Sequence, residues 1–356
     1  MLNIISPINQ LGYGIAGLNI CKELDNMIKV SLFPIGQPQV TNSKDHSRIT
    51  DMMANSRMPN FDGDCIRIWH QHDMSQWVGR GKRIGFPIFE LDKFNDVELY
   101  HLSSLDKIFV CSEWAKQVIL DSIQINKSDV HVIPLGVDSR IFDNSLDNQQ
   151  NDATIFFNCG KWEKRKGHDF IVKSFNDAFN QSDNVELWMM CENPFNTEEE
   201  EKAWRDLYLG SKLGNKIKII NRVDTQQEVY NIMAKVTCGV FPARAEGWNL
   251  EALEMMSCGR HVIVTDYSAH TEFCNSSNSH LIEINALEPA FDGIWFNGQG
   301  NWARIGDQQV KELSDHMRKV YEQKQRDGDI LNLSGIETAK EFSWENTADL
   351  LAGGLH

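Results

Sequence analysis

No two cysteines in this sequence have the C-x-x-C spacing of a metal or redox pair. No apolar run approaches the roughly 20 residues that span a bilayer. The opening MLNIISP has neither the basic nor the apolar region of a signal peptide. Positive charge is scarce as well, since 35 Lys and Arg stand against 50 Asp and Glu, a formal charge of −15. A field of that sign disfavours non-specific binding to nucleic acid or anionic lipid. A cytoplasmic chain without stable membrane insertion is expected, with its eight scattered cysteines as buried free thiols. What remains is ordinary for a globular protein. With 41% hydrophobic residues over 356 positions, the chain can fill two domain cores.

Short β-branched runs alternate with stretches of helical period along most of the length. Strands are expected at 2–5, 65–69, 86–89, 107–111 and 130–133, with a helical stripe over 15–24 and a helix capped by Ser112. The pattern restarts after residue 153, with strands at 154–158, 185–190, 216–220, 237–241 and 261–264. Helices are expected at 170–179, after Thr197 with its four glutamates, after the capping box Thr225–Glu228, and at 248–258. Further helical segments lie at 307–324 and 344–351. This alternation predicts an α/β protein of two doubly wound, Rossmann-like domains facing a central cleft.

The polar stretch DNSLDNQQND (143–152) reads as the linker. The expected units are 1–150, 151–335, and a C-terminal helical segment 336–356 packing back on the first domain. In doubly wound sheets ligands sit at the carboxyl ends of strands, so the loops there carry the candidate chemistry.

Two such loops stand out. GKWEKRKG (160–167) puts Lys161, Lys164, Arg165 and Lys166 between a strand and a helix, a local inversion of the chain's charge. Backbone N–H groups and a helix N-terminus beside these cations suit a phosphate, although a solvated basic turn accounts for the same residues. AEGWNLEALE (245–254) places Glu246 in a loop and Glu254 in the following helix, so both carboxylates could face one ligand and accept sugar or ribose hydroxyls. Glutamates on an exposed helix face are the plainer alternative.

Glu246 and Glu254, with seven residues between them, resemble the E-x7-E signature of retaining glycosyltransferases of family 4, which have the GT-B fold. GKWEKRKG resembles that family's G-R-x-x-x-x-K-G loop, and PLGVD (134–138) with Phe142 its P-x-G-V-D-x-x-x-F segment. VCSE (110–113) is similar to its V-x-S strand end, and GFPIFELD (85–92) to the G-x-x-x-F-E-x-D strand of one branch. The motifs occur in the family's order and extend over roughly residues 1–350.

The resemblance implies metal-independent, retaining transfer of a sugar from a nucleoside diphosphate sugar to an acceptor hydroxyl. Alternatives are an epimerase of the same fold, or a catalytically silent nucleotide-sugar-binding scaffold. By position, Lys161 and Lys166 would grip the diphosphate, Glu254 the ribose, and Glu246 would face the transferred sugar. Gly247 and the backbone at Trp248, Asn249 and Leu250 would meet phosphate or sugar oxygens, and Val223 would lie near the base. Gly12 and Gly14 would form a loop closing over the donor. Most members carry a donor-contacting histidine where this chain has Phe89 and Glu90, so Glu90, or His70 and His72 from the neighbouring strand, would stand in for it. Asn249 replaces a common glycine, and His261 a common proline. No cofactor or metal is implied, and a UDP-sugar is slightly favoured as co-substrate. The acceptor would be a glycan, a glycolipid or a small molecule, with modified nucleic acid or protein as further options. Asp62-Gly63-Asp64 has the spacing of a metal-binding D-x-D, but it precedes its strand and reads as a turn.

Overall fold

The structure is a computed structural model that describes residues 1–145 and 152–355. The chain divides into two units, residues 1–136 with 342–356 and residues 137–341.

In the first unit the strands are β1 (Leu2–Ser6), β2 (Val30–Pro34), β3 (Cys65–Trp69), β4 (Arg83–Pro87), β5 (Lys107–Val110) and β6 (Val130–Val132). They form one parallel sheet in the order β2-β1-β3-β4-β5-β6. Its helices are α1 (Gly12–Asp25), α2 (Ser43–Asn55), α3 (Asp96–Ser103) and α4 (Glu113–Ser122). Every residue of β1 and β5 is buried, as a sheet covered on both faces requires. Helix α4 starts where Ser112 accepts a hydrogen bond from the Ala115 N–H.

The second unit repeats the scheme with β7 (Thr154–Cys159), α5 (His168–Ala178), β8 (Val185–Met190), α6 (Glu198–Leu209), β9 (Ile217–Ile219), α7 (Gln226–Met233) and β10 (Cys238–Phe241). Then come α8 (Leu250–Ser257), β11 (His261–Thr265), α9 (His270–Phe273) and β12 (His280–Ile282). A hairpin of β13 (Leu287–Phe291) and β14 (Asn297–Ala303) precedes α10 (Asp307–Asp327) and α11 (Leu333–Glu341). The parallel order is β12-β11-β10-β7-β8-β9. Capping boxes at Thr197–Glu200 and Thr225–Glu228 open α6 and α7.

The first division falls at Gly136/Val137, ahead of the boundary expected at 150, because the segment after it packs into the second unit. Phe142 meets the Tyr230 ring edge-on at 6.3 Å, and Asp143 accepts a 2.7 Å hydrogen bond from the Tyr230 hydroxyl. Residues 146–151 of the expected linker lie outside the described residues. The second division, at Glu341/Phe342, comes after 335 because α11 packs on α8. The last helix, α12 (Trp344–Gly354), belongs to the first unit. There Lys107 Nζ donates to the Gly354 carbonyl at 2.7 Å and the Thr347 hydroxyl to Pro134 at 2.8 Å.

Each sheet has one place where the strand order reverses, between β1 and β3 in the first unit and between β7 and β10 in the second. Loops diverge at the carboxyl ends of such pairs and leave a crevice. The loops that follow β7 and β10 are 160–167 and 242–249, the two singled out in the sequence.

Candidate active site

The loop after β7 is shaped by its glycines. Gly167 has φ +79°, and a Cβ there would lie 2.4 Å from the Pro242 carbonyl, so no other residue fits. Gly160 has φ +142° and lies against the Lys166 side chain. The loop is thereby folded tightly onto the one after β10.

Its charged groups alternate in sign across the crevice. Lys161 Nζ is 2.9 Å from one Glu163 oxygen, and Arg165 reaches the other at 2.8 Å. Arg165 also donates to Glu246 at 2.9 Å and to the Ala245 carbonyl at 2.7 Å, while Lys166 takes the second Glu246 oxygen at 2.9 Å. Burial alone would raise the Glu246 carboxyl, yet Arg165 and Lys166 hold it down at about 2. Burial opposes the Lys166 charge, but Glu246 outweighs it and raises the ammonium pKa. Lys166 is therefore held cationic. One of its three N–H donors goes to Glu246, which leaves two for a ligand. With both oxygens paired to cations, Glu246 is a poor nucleophile and a good electrostatic anchor.

The loop after β10 ends in Asn249, which has φ +86°. Its side-chain oxygen accepts from the Ala252 N–H at 3.1 Å and so caps α8. Its amide nitrogen meets His270 Nε2 at 2.8 Å. His270 Nδ1 lies 3.0 Å from the Thr265 carbonyl, which can only accept, so Nδ1 carries the proton and Nε2 receives the Asn249 amide. Burial lowers this imidazole to about 4 and keeps it neutral. The backbone N–H groups of Asn249 and Leu250 donate to no acceptor among the described residues, and they sit at the positive end of α8. Trp248 packs on Phe273 with ring centroids 5.0 Å apart, while the backbone of Gly247 and Trp248 leads into the cap.

One turn into α8, Glu254 is only 7% exposed, and among the described residues its carboxylate has no hydrogen-bond or ion-pair partner. Burial, with Glu251 adding like charge, pushes it well above the usual range. A buried carboxylate without a partner costs stability unless a ligand satisfies it. Val223 lies half-buried in the loop after β9. No interaction links it to Glu254 or Lys166.

The remaining sequence candidates belong to the first unit. Gly12 and Gly14 do not form a loop: they are the first turn of α1. A Cβ on Gly14 would lie 2.3 Å from the Asn9 backbone nitrogen, and one on Gly17 2.4 Å from the Pro7 carbonyl. Close packing of α1 on the end of β1 is what these glycines permit. At the reversal point, His70 Nδ1 is 3.1 Å from the Tyr13 hydroxyl, which also donates to the Ile88 carbonyl. His70 and His72 stack at 5.0 Å, and His72 is exposed. Glu90, half-buried, follows β4, which runs over 83–87 rather than 86–89. Asp62 is paired to Arg80 at 2.9 Å and Asp64 accepts from the Lys82 N–H at 2.8 Å, so both serve the turn before β3.

Glu163, Arg244 and His270 were not among the sequence candidates, and Arg165 was named only as one of the loop's four cations. The basic loop announced cations, but spacing could not tell which of them turns inward. Arg165 does, whereas Lys164 donates to the Phe291 carbonyl of the hairpin at 3.1 Å. Arg244 is buried and forms a two-pronged bridge to Asp169 at 2.7 and 2.8 Å. Below the loop, Cys191, His168 and Asn158 mimic a catalytic triad without being one. His168 Nδ1 accepts from the Glu163 N–H at 3.0 Å, Nε2 faces Asn158 at 2.9 Å, and burial lowers the ring to about 3. The Cys191 thiol is buried and pushed far up, so this cluster only holds the loop. All eight cysteines are free thiols, seven of them buried.

Comparisons with known proteins bear on the family and the fold. Residues 153–291 match the family Glycosyl transferases group 1. A protein named glycosyltransferase 45 from Sulfolobus islandicus filamentous virus is 22% identical over 236 residues, 64% of this chain. The match spans 62% of that relative, less than two thirds of its length. The glycosyltransferase EpsF of Bacillus subtilis is 20% identical over 291 residues, 79% of this chain and 71% of its own. Among solved structures, Anabaena HepE in complex with UDP-glucose superposes with a TM-score of 0.72 at 13% identity, covering 99% of this chain and 98% of that one. Among the described residues no helix is long and apolar enough to cross a membrane. The chain is thus of GT-B fold, carries a glycosyl transferases group 1 domain in its second unit, and is a homologue of glycosyltransferases.

Proposed function

We propose that this protein moves a sugar from a nucleoside diphosphate sugar to an acceptor hydroxyl, with retention and without a metal, and that UDP is the preferred nucleotide. The buried carboxylate of Glu254, without a partner among the described residues and on the helix that opens at Asn249 and Leu250, carries the reading. Two ribose hydroxyls would supply the donors Glu254 lacks, and the helix end would take the diphosphate. Lys166, held cationic by Glu246, and Lys161 would stabilise the charge that grows on the leaving phosphate. That role would need no metal ion. The departing phosphate would accept the proton of the incoming hydroxyl on the same face, so no protein nucleophile is required, unlike a retaining glycosidase. The bound UDP-glucose of Anabaena HepE supports the choice of nucleotide. Glu90, His70 and His72 of the first unit are assigned to sugar or acceptor contacts, with His70 oriented by Tyr13.

Calorimetric titration with UDP, GDP and ADP in the presence of a chelator tests this assignment. Saturable binding of UDP, lost in Glu254→Ala, is expected. Turnover of UDP-sugar should fall about 10²–10³-fold in Lys166→Ala, the usual cost of one transition-state donor. A folded protein that binds none of the three nucleotides would overturn the proposal.

A further inference from the structure

The hairpin β13–β14 carries an exposed apolar tip. Phe291 is 54%, Ile294 63% and Trp295 61% exposed, and Phe195 from the loop after β8 joins them at 56%. The Phe195 and Trp295 rings meet edge to face at 6.1 Å. Such a cluster on a soluble surface usually marks a binding site.

The turn at the tip is held by hydrogen bonds. Asp292 Oδ1 accepts from the N–H groups of Ile294, Trp295 and Phe296, each at 2.8 Å, so one carboxylate fixes the whole turn. Lys164 holds the Phe291 carbonyl, and Trp302, fully buried, anchors the inner side of the hairpin against Phe296 at 5.3 Å. These ties constrain the turn that presents the rings, and such pre-organisation lowers the entropic cost of binding.

The charges at the tip are committed elsewhere: Lys161 Nζ, 5.2 Å over the Phe195 ring, is paired with Glu163 at 2.9 Å. Residues 287–303 contain no Lys or Arg, and both of their acids are committed: Asp292 to the turn, Glu288 to Arg244 and the Trp302 indole at 3.3 Å each. Phe195 is followed closely by Glu198, Glu199, Glu200 and Glu201, which repel an anionic surface. Along β14 the amides Asn297, Gln299 and Asn301 alternate with glycines and run on from the aromatic tip. Flat rings flanked by neutral amides match one ligand chemistry well. The C–H face of a pyranose packs on an aromatic ring, while its hydroxyls exchange hydrogen bonds with amides.

We propose that Trp295, Phe195, Phe291 and Ile294, with the amides of β14, form a binding platform for a neutral oligosaccharide. The platform would hold the glycan being extended, and in that respect it rests on the transferase reading; binding itself does not require turnover. The test titrates the 356-residue chain with cellohexaose, maltohexaose and chitohexaose by calorimetry and indole fluorescence. At least one hexasaccharide should bind, with affinity at least tenfold weaker in Trp295→Ala, while UDP affinity and melting temperature stay at wild-type values. Absence of binding by all three, or equal binding by Trp295→Ala, overturns the proposal. So does a Trp295-dependent association with phosphatidylcholine–phosphatidylglycerol vesicles, or a Trp295-dependent dimer, without glycan binding. Intact UDP binding with no glycan binding would reject the platform alone, whereas loss of UDP binding in the wild type would reject the donor site.

Discussion

At the scale of single residues, the site is held in tension between stability and binding. Glu254 is the clearest case, because ionising a buried carboxylate with no partner destabilises the free protein. Glu254→Gln keeps the shape and removes the charge. Its melting temperature at pH 7–8 should exceed that of the wild type, at about 2–4 °C per kcal/mol recovered, while nucleotide binding weakens. Equal or lower melting in the variant would count against this account. The buried imidazoles act on stability in the opposite pH sense. His270 titrates at about 4 and His168 at about 3 in the fold, whereas an unfolded histidine titrates near 6.5. Below pH 6.5 the unfolded chain takes up protons first, so stability falls as the pH drops toward those values. Glu254, raised in the fold, loses stability as pH rises above 4.5, so the Glu254→Gln background isolates the histidines. Urea midpoints in that background should decline from pH 6.5 to 5, and a flat profile would reject the histidine assignment. Lys166, Glu246 and Glu254 were named from the sequence; the structure pairs Lys166 with Glu246 at 2.9 Å and buries Glu254. What the sequence did not explain is why Asn249 can replace glycine there; its φ of +86° is a conformation that asparagine tolerates.

At the scale of elements, local chemistry announced most of what formed. Thr225–Glu228, Thr197–Glu200 and Ser112 open helices where their side chains indicated. The hairpin did not announce itself. Glycines at positive φ sit in its turn, Gly293, and within β14, Gly298 and Gly300, and its register shifts between Pro289 and Phe291. Tertiary clamps, not propensity, hold it: Arg244 binds Asp169 with two hydrogen bonds, reaches Glu288, and lies against the Phe170 and Trp302 rings at 5.5 and 5.9 Å. Arg244→Lys loses the planar fork. The variant should fold, yet chymotrypsin should cut it faster at Phe291 or Trp295 than the wild type. Equal cleavage rates would show that Arg244 does not clamp the hairpin.

At the scale of the whole molecule, the two parallel sheets were legible from the alternation of strands and helices, but the division of the chain was not. Composition marked the polar stretch 143–152, whereas packing puts the break at Gly136/Val137. A Cβ on Gly136 would come within 2.2 Å of the Ser343 carbonyl carbon and the Trp344 nitrogen, so the two chain segments are pressed together there. Helix α12 covers α1 and seats Gly354 against Phe109. Removing residues 342–356 should therefore quicken amide exchange in β1, β5 and α1 and leave β7 and β10 unchanged. Uniform quickening in both sheets would contradict the assignment of α12 to the first unit.

That assignment has a consequence for how the protein is made. Synthesis runs from the amino terminus, and units generally fold as they emerge. Here the first sheet leaves the ribosome early but lacks its covering helix until residues 342–356 have been made, while the sheet encoded later has all its parts sooner. The order of birth and the order of completion are reversed. An apolar surface over α1 and Phe109 is left waiting through the synthesis of the entire second unit, a natural place for a chaperone to bind the nascent chain.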